Sequence, residues 1–301
     1  MSGPPWRRAL TWLAMALLVW LLWPVFDWAV LKAVFRADAN ACQALQHGGA
    51  CWGVVAEKGR WLIWGPPVAD ADGRPAWDWL RHGPQGGLPL TLFLFAGAWL
   101  GSLPLAVLLA LGRRARHAVW RVPATAFIEG VRGVPLVGLL FVAAFVLPGL
   151  WPEGHAPALV WRAMGVLTVF SAAYMAEILR GGLQTIPSEQ SEAGAILGLR
   201  WWGIQRRIVL PQAFRAVLPA LTGHAIGLLK ETSLVAVIGL HELSGNLALS
   251  LGGDPVWRPY FFEAYLFIGS LYALLCLALS RLGHSLETRW KHQMQGMRAP
   301  R

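Results

Sequence analysis

Charge is scarce in this sequence. Asp, Glu, Lys and Arg make up 14% of its 301 residues, whereas an ordinary soluble domain carries about 25%. The charge is missing in long blocks, and residues 88–112, 133–152 and 264–280 contain no Asp, Glu, Lys, Arg or His. A helix of roughly 20 apolar residues is long enough to cross the hydrocarbon core of a bilayer. The composition excludes an ordinary soluble domain and predicts a protein that crosses a membrane several times.

Several catalytic and metal-binding patterns are also missing. The sequence contains no GxxxxGK[ST] phosphate-binding loop, so we do not expect this chain to hydrolyse ATP itself. Neither HExxH nor GxSxG occurs, so hydrolase and protease chemistry have no visible catalytic set. Three cysteines without a CxxC pair make a metal site improbable. We therefore expect no catalytic residues, no metal and no cofactor bound by this chain.

The charge that is present is strongly basic. A net charge of +10 suggests nucleic-acid binding as an alternative, but such binding needs the cations in one surface patch. Here the cations lie in short stretches between the apolar blocks, as orientation in a membrane requires. Many of the 18 Trp residues stand near block ends, where interfacial Trp is enriched. Both patterns favour a membrane protein.

Six membrane spans are predicted, over residues 9–34, 88–112, 133–151, 161–180, 216–240 and 263–282. Arg7 and Arg8 precede the first span, as in a signal peptide, but no small-residue cleavage site follows, so we expect this span to be retained. Of the 26 Lys and Arg residues, 17 lie on the same side of the membrane as the N-terminus. Because cytoplasmic connections are enriched in these residues, both termini are predicted to be cytoplasmic.

The connection 36–87 is the one sizeable predicted segment outside the membrane on the outer face. It contains Cys42 and Cys51, which would lie in an oxidising compartment. A disulfide between them is one interpretation, and two free thiols are the other. Cys276 lies inside the last predicted span, where we expect it to serve in packing.

Residues 184–214 form the most informative segment, and their pattern predicts two short cytoplasmic helices. Ser188 is placed to cap the first, with Glu189 and Glu192 in its early turns, where acidic side chains favour the helix dipole. Gly198 is placed to end this helix in a left-handed conformation. The pattern fits either an amphipathic loop resting on lipid headgroups or a helix that docks on a soluble partner.

The second helix of this segment is predicted to begin at Arg200 and to stop at Pro211. Trp201, Ile204 and Ile208 are spaced i, i+3, i+7 within it, which places them on one face. The helix is therefore expected to be amphipathic.

One set of residues in this segment resembles a known signature. It consists of Glu192, Ala193, Gly194, Gly198, Ile208, Leu210 and Pro211, and it resembles the EAA motif of ABC importer membrane subunits. In that family the loop is a coupling helix that docks on the nucleotide-binding ATPase, so the resemblance implies the same role for these residues. Gly194 stands where the family usually has a second Ala, and glycine there would loosen the helix by up to about 1 kcal/mol.

Three further segments resemble the polar-amino-acid branch of these permeases. They are 127–136 (FIEGVRGVPL), 173–182 (AYMAEILRGG) and 230–234 (KETSL), the last with Glu231 where the branch has Asp. The outer sequence 49–52 (GACW) is similar, over a shorter stretch, to the permeases of broad-specificity L-amino-acid uptake systems. The resemblance implies a permease subunit of an ABC amino acid importer that forms half of the translocation pore.

The resemblance also implies the architecture and the partners. We expect an all-α polytopic membrane protein with the type I ABC importer transmembrane fold, about six transmembrane helices and a cytoplasmic coupling helix. Residues 1–35 would hold the N-terminal tail and first span, 36–87 a periplasmic loop, 88–285 the permease core, and 286–301 a basic cytoplasmic tail. The implied partners are an ABC ATPase that carries ATP and Mg²⁺, a second homologous permease, favouring a heterodimer, and a periplasmic amino-acid-binding protein. The implied location is a bacterial inner membrane.

Charged residues at bilayer depth mark a candidate pathway. Lys230 and Glu231 lie inside the fifth predicted span, where a charge costs about 2.5–3.5 kcal/mol and normally faces a partner or water. With Thr232, Ser233 and Tyr174 they are the candidate pore or substrate residues. An ion-coupled secondary transporter or channel that uses Lys230 and Glu231 as an ion relay is the alternative function, and the missing catalytic motifs disfavour a membrane enzyme.

Two charge pairs are predicted near the inner ends of the spans. Glu129 with Arg132, and Glu177 with Arg180, are spaced i, i+3, so each pair can meet on its helix and hold neighbouring helices in register. His224 lies within the fifth predicted span, where a packing role is favoured over a ligand role.

Overall fold

The computed structural model describes residues 5–46, 48–65, 84, 86–152 and 154–298. The middle of the predicted 36–87 loop and residues 299–301 of the basic tail thus lie outside the described residues. The α-helices, in chain order, are α1 Pro5–Phe26, α2 Ala39–Ala44, α3 Gly53–Trp64, α4 Gly87–Arg113, α5 Ala118–Gly133, α6 Leu136–Phe141, α7 Leu159–Gln184, α8 Ser188–Ile196, α9 Trp201–Ile204, α10 Leu210–Glu231, α11 Leu243–Gly252 and α12 Phe261–Arg298. Wider π-helical turns occupy Asp27–Leu31, Val142–Val146 and Gln205–Val209, and 3₁₀ turns occupy Leu147–Leu150, Thr232–Ile238 and Arg258–Tyr260.

Among the described residues, five helices are long and apolar enough to cross a membrane. They cover Ala9–Leu31, Gly87–Arg113, Leu159–Gln184, Trp201–Ile238 and Arg258–Trp290. A sixth crossing arises if the pair Ala118–Gly133 and Leu136–Leu150, bent by 99°, counts as one span. The prediction of about six spans is confirmed.

The bend in the third span lies at the start of the predicted block 133–151. Val134 is extended, with φ −103° and ψ 134°, and Pro135 follows it. A residue before proline avoids the helical region because the proline ring crowds its backbone. The predicted block is therefore the second arm of a broken span whose first arm is α5.

The prediction that Pro211 stops a short helix is wrong. The helical backbone continues from Trp201 to Ile238, and Pro211 lies in the first turn of α10. The π-helical turn Gln205–Val209 directly precedes α10. Proline has no N–H and crowds the preceding turn, and a wider turn at that point lets the chain stay helical. The fifth span therefore begins well before residue 216.

The described structure divides into two compact units, of which the first comprises Met1–Ile63 and Leu247–Gly269. Cys42 and Cys51 form a disulfide, with a Cα–Cα distance of 5.5 Å. The backbone N–H of Cys51 donates to Glu263 Oε1 at 3.0 Å. Lys58 Nζ lies 2.7 Å from Asp254 Oδ2, and its hydrogen bond holds the pKa of that carboxyl below its usual value. The disulfide and these two polar contacts tie distant stretches of this unit together.

The first helix differs from the rest of the first unit in having no buried face. Every described side chain of α1 is exposed, including Trp12 at 69% and Trp20 at 71%. A helix that is apolar on all sides is typical of a membrane span in contact with lipid or another subunit.

The second unit comprises Trp64–Asn246 and Ser270–Arg301. Two buried apolar clusters form its core: one includes Met175, Leu179 and Ala213, and the other includes Leu140 and Leu228. The α7 and α10 helices cross closely at Gly182, where a Cβ would lie 2.5 Å from Val217 Cγ1 and 2.8 Å from the Ala213 carbonyl oxygen. Small residues at such crossings let membrane helices approach each other.

Glu242 is a fully buried carboxylate in the second unit. Its Oε1 accepts the backbone N–H groups of Ser244 and Gly245, at 2.8 and 3.0 Å, at the start of α11. Its Oε2 accepts the hydroxyls of Thr91 in α4 and Tyr272 in α12, at 3.2 and 2.5 Å. Glu242 therefore fixes the start of α11 against two membrane helices.

Candidate functional site

The 184–214 segment lies in the second unit, and its first helix, α8, ends abruptly. After Ile196 the N–H of Gly198 donates to the Ala195 carbonyl at 3.0 Å and that of Leu199 to the Gly194 carbonyl at 3.1 Å. Gly198 has φ +77°. These two bonds form a Schellman motif, which requires a left-handed residue. The prediction that Gly198 ends this helix in a left-handed conformation is confirmed.

The start of α8 differs from the prediction. Pro187, not Ser188, occupies the capping position, and no side chain caps the helix. Ser188 is the first helical residue and is exposed. The proline fixes its own backbone near the conformation that a helix start needs, so the predicted serine cap is wrong.

Gly194 is the one buried residue of α8. A Cβ there would lie 3.0 Å from Ile208 Cδ1 and 3.1 Å from Ile204 Cγ1. The glycine thus lets α8 rest directly on the helix that follows it. Ile204 and Ile208 lie on the predicted stripe, whereas Trp201 is 61% exposed.

Among the described residues, nothing covers the side of α8 opposite Gly194 or the turn that ends this helix. Glu192 and Ala193 are exposed, and Ile196 and Leu197 are exposed by 86% and 79%. Because Glu192 and Ile196 are four residues apart, they lie on the same side of the helix. Ile196 and Leu197 were not predicted as site residues from the sequence, although their place directly before Gly198 is a usable signal.

The other motif residues lie in the helical backbone that follows α8. Ile208 and Leu210 are partly buried and pack against the buried cluster that includes Met175, and Pro211 is partly buried in the first turn of α10. The seven predicted residues therefore divide into an outward surface and a supporting base.

The predicted ion pair between Glu129 and Arg132 is wrong. Glu129 Oε1 lies 2.7 Å from Arg113 Nη2 instead. The Arg132 guanidinium lies over the ring of Tyr174, 5.2 Å from its centroid. Arg113 ends α4, which places its side chain within reach of α5, and helical spacing alone could not reveal that neighbour.

Glu177 does contact Arg180, with Arg180 Nε 3.0 Å from Glu177 Oε2. Glu177 Oε1 also lies 2.7 Å from Arg113 Nη1. Arg113, Glu129, Glu177 and Arg180 thus form one group, called here the inner charge cluster.

The candidate pathway residues at the end of α10 and directly after it differ in exposure. Lys230 is exposed and Glu231 partly so, and Glu231 Oε2 is enclosed without accepting a hydrogen bond from the described residues. Thr232 is fully buried and donates to the Leu229 carbonyl at 2.7 Å. Ser233 donates to the Lys230 carbonyl at 2.7 Å. Both hydroxyls serve the backbone, which leaves Lys230 and Glu231 as the charged groups at this position.

Tyr174 belongs to a separate aromatic group. Its ring stacks on His224 at 6.1 Å between centroids and contacts Phe170 at 4.9 Å. His224 Nε2 lies 2.9 Å from Ser171 Oγ, so His224 bridges α10 and α7, as a packing role requires. Ser171 belongs to no motif and was not predicted as a site residue from the sequence. Within the described part of the chain, no group of three His, Cys, Asp or Glu could hold a metal ion.

Comparison with known proteins gives a consistent result. Residues 102–292 match the family model described as "Binding-protein-dependent transport system inner membrane component". The inner membrane amino-acid ABC transporter permease protein YhdY of Escherichia coli is 34% identical over 90% of this chain and 87% of its own length. The glutamate/glutamine/aspartate/asparagine transport system permease protein BztC of Rhodobacter capsulatus is 34% identical over 90% of this chain, which spans 65% of that relative.

A solved structure shares the fold. The crystal structure of an amino acid ABC transporter with histidines contains a chain that is 29% identical to this one. It superposes with a TM-score of 0.57 over 66% of this chain and 90% of that chain.

Proposed function

The chain belongs to the family of binding-protein-dependent transport system inner membrane components, and we propose that it forms one half of the pore of an ATP-driven amino acid importer. It is the transmembrane permease subunit of an ABC importer, and a separate ATPase subunit hydrolyses ATP. The chain therefore contributes to transport by binding partners and changing conformation rather than by catalysis.

The outward face of α8 is the docking surface for the ATPase. The observation that carries this proposal is the contrast between its two faces: Gly194 is buried against Ile204 and Ile208, whereas Ile196 and Leu197 are largely exposed. Exposed apolar side chains beside a carboxylate fit an apolar groove with a charged rim on a partner. The sharp turn at Gly198 holds this surface in place.

Co-purification of the ATPase with the tagged chain from solubilised native membranes tests this surface. Leu197→Asp puts a charge into the apolar patch, and Glu192→Lys reverses the exposed charge. Both are expected to lose the ATPase while the chain remains in the membrane. Arg116→Glu reverses an exposed charge outside the 184–214 segment and should retain it. Full ATPase recovery with Leu197→Asp would contradict the proposed surface.

Substitutions at two glycines test whether ATPase binding depends on the backbone shape of this turn or only on the residues that contact the ATPase. Gly198→Ala puts a side chain at φ +77°, where a Cβ costs about 1–2 kcal/mol. Gly203→Ala is the control, because a Cβ there meets nothing closer than 3.9 Å. We expect ATPase recovery to fall with Gly198→Ala alone. Equal recovery in both variants would mean that the contacts matter and the turn does not.

Lys230 and Glu231 line the translocation pathway, with Tyr174 as a further candidate. Lys230 is exposed at the end of α10, and Glu231 has an enclosed carboxylate oxygen free to accept a hydrogen bond. A zwitterionic amino acid needs a cation for its carboxylate and an acceptor for its ammonium group, and these two side chains supply both. Thr232 and Ser233 shape the backbone there, since their hydroxyls bond to carbonyls of the preceding turn.

The partner subunits follow from the family. We propose a second permease that completes the pore, with a heterodimer favoured, two ATPase subunits carrying ATP and Mg²⁺, and a periplasmic amino-acid-binding protein. Reconstitution of the co-purified complex in proteoliposomes tests this composition. Uptake should require both ATP and the binding protein. Uptake by the chain alone, driven by an ion gradient, would instead support the secondary-transporter alternative.

The domain boundaries and the orientation belong to the same proposal. Residues 1–35 form the tail and first span, 36–87 the periplasmic loop, 88–285 the permease core and 286–301 a cytoplasmic tail. The disulfide Cys42–Cys51 supports an outward 36–87 loop, because cytosolic thiols are kept reduced. Both termini then face the cytoplasm of a bacterial cell.

A further inference from the structure

We propose that Arg113 is a positioning residue that transmits movement of α8 to the bent third span, and this inference rests on the proposed coupling function. Arg113 ends α4 and places one terminal nitrogen on Glu129 of α5 and the other on Glu177 of α7, each at 2.7 Å. One guanidinium thus joins the end of α4 to the last turns of α5 and to α7. The fork of arginine suits such double contact, which lysine cannot reproduce.

The first step of the relay runs from α8 to Glu177. Only Thr185, Ile186 and Pro187 separate the end of α7 at Gln184 from α8, so the two helices move together. Glu177 lies seven residues before Gln184, which is about two helical turns. A displacement of α8 by a docked ATPase therefore reaches Glu177 directly.

The second step runs from Arg113 to α5. The buried residues of α5 are Ala124 and Ile128 alone, so apolar packing holds this helix weakly. In the described part of the chain, the contact between Glu129 and Arg113 is the one salt bridge that α5 makes. The adjacent Arg114 donates to the Leu183 carbonyl of α7 at 2.8 Å and does not reach α5. The polar attachments of α5 are therefore this ion pair and the Arg132 guanidinium over the Tyr174 ring.

The third step runs through the bend towards Lys230 and Glu231. The α5 helix continues across the 99° bend into Leu136–Leu150. Leu136 and Leu140 lie in the same buried cluster as Val235 and Ile238. Those last two belong to the 3₁₀ segment Thr232–Ile238, which directly follows Glu231. Runs of 3₁₀ longer than about four residues are uncommon and mark places that can rearrange.

The two arms of the cluster differ in strength. Glu177 contacts both Arg113 and Arg180 and is 16% exposed, whereas Glu129 contacts Arg113 and is 55% exposed. Ion pairs weaken where water competes for the charged groups. The ion pair between Arg113 and Glu129 is therefore the one that breaks and forms again, whereas the ion pair between Arg113 and Glu177 persists.

The test uses the complex that co-purifies with the tagged chain, reconstituted in proteoliposomes. Amino acid uptake per ATP hydrolysed is expected to fall about fivefold or more in Arg113→Gln, the range of a typical coupling between sites. ATPase recovery should stay unchanged. Glu129→Gln should give a similar loss, and the double variant should be no worse than Arg113→Gln, because both remove one link. Arg113→Lys should restore part of the coupling.

Arg116→Gln is the matched control, since this exposed arginine lies three residues further along the chain. It should leave uptake per ATP unchanged. An unchanged ratio in Arg113→Gln, or an equal fall in Arg116→Gln, would overturn the proposal. Failure of any ATPase to co-purify would instead count against the proposed function, so the two failures are distinguishable.

A second measurement needs no partner and guards against a folding defect. Spin labels at the exposed positions Val122 of α5 and Gln184 of α7 report the distance between these helices. Arg113→Gln is expected to broaden the distance distribution in the purified chain, and Arg116→Gln is not. A distribution as narrow as that of the unchanged chain would show that Arg113 does not position α5.

Discussion

At the residue scale, the buried carboxylate of Glu242 is stabilised by hydrogen bonds. Two backbone N–H groups and two hydroxyls donate to it, from the start of α11 and from Thr91 and Tyr272. A buried charge is tolerated when such donors replace water. Both side-chain oxygens of Glu242 must therefore accept hydrogen bonds, and an amide side chain has only one oxygen that can do so.

Glu242→Gln is expected to lower the stability of the purified chain by about 2 kcal/mol, because the amide NH₂ would face at least one of these donors. Thermal denaturation in detergent measures the change. Glu57→Gln alters an exposed carboxyl of α3 and should have little effect. Tyr272→Phe removes one donor and should cost less than Glu242→Gln. A Glu242→Gln protein as stable as the unchanged chain would contradict this account.

The ion pair of Asp254 with Lys58 predicts that the stability of the first unit depends on pH. The hydrogen bond from Lys58 holds the pKa of Asp254 below the ordinary value of 3.8, so its stabilising contribution is complete above that value. The contribution is lost as the pH falls through the lowered pKa. The difference in melting temperature between the unchanged chain and Asp254→Asn, worth about 1 kcal/mol or less, should stay constant from pH 7 to 5. It should shrink in more acidic buffer, and a difference that grew there would contradict the assignment.

At the element scale, apolar length predicted the spans well and said little about what joins them. The blocks without charge correspond to membrane spans because a helix must be apolar along its length to cross the hydrocarbon core. The helix breaks before Pro135 but continues through Pro211. The local backbone geometry decides between these outcomes, and the presence of a proline in the sequence does not predict which one occurs. Arg113 was missed as a partner of Glu129 because i, i+3 spacing describes one helix only. The turn at Gly198 was predictable because its left-handed backbone requires a particular residue type.

Neighbouring glycines of α7 test the helix crossing. A Cβ at Gly182 would meet Val217 and the Ala213 carbonyl within 2.8 Å, whereas a Cβ at Gly181 meets nothing within 4 Å. Gly182→Ala is expected to destabilise the chain by about 1–3 kcal/mol through overpacking. Gly181→Ala should be neutral or slightly stabilising, because alanine favours a helix. Melting temperatures of the two purified variants measure the contrast, and equal values would show that the crossing tolerates a larger residue.

At the scale of the whole molecule, the distribution of basic residues and the disulfide lead to the same proposed orientation. Alkaline phosphatase fused after Trp64 should be active, because the enzyme folds only outside the cytoplasm. The same enzyme fused after Arg116, beyond the second span, should be inactive. Green fluorescent protein at the C-terminus should be fluorescent. An active fusion after Arg116 would reverse the proposed orientation.

The bond from the Cys51 N–H to Glu263 joins residues 212 positions apart. A ribosome that adds about 5–20 residues per second needs roughly 10–40 s to synthesise the intervening chain. The disulfide between Cys42 and Cys51 involves no later residue and can close within that interval. The first stretch of this unit, Met1–Ile63, is thus cross-linked before the second stretch, Leu247–Gly269, has been synthesised. If synthesis stops early, the first stretch lacks its contacts with the second, and a protease can recognise it.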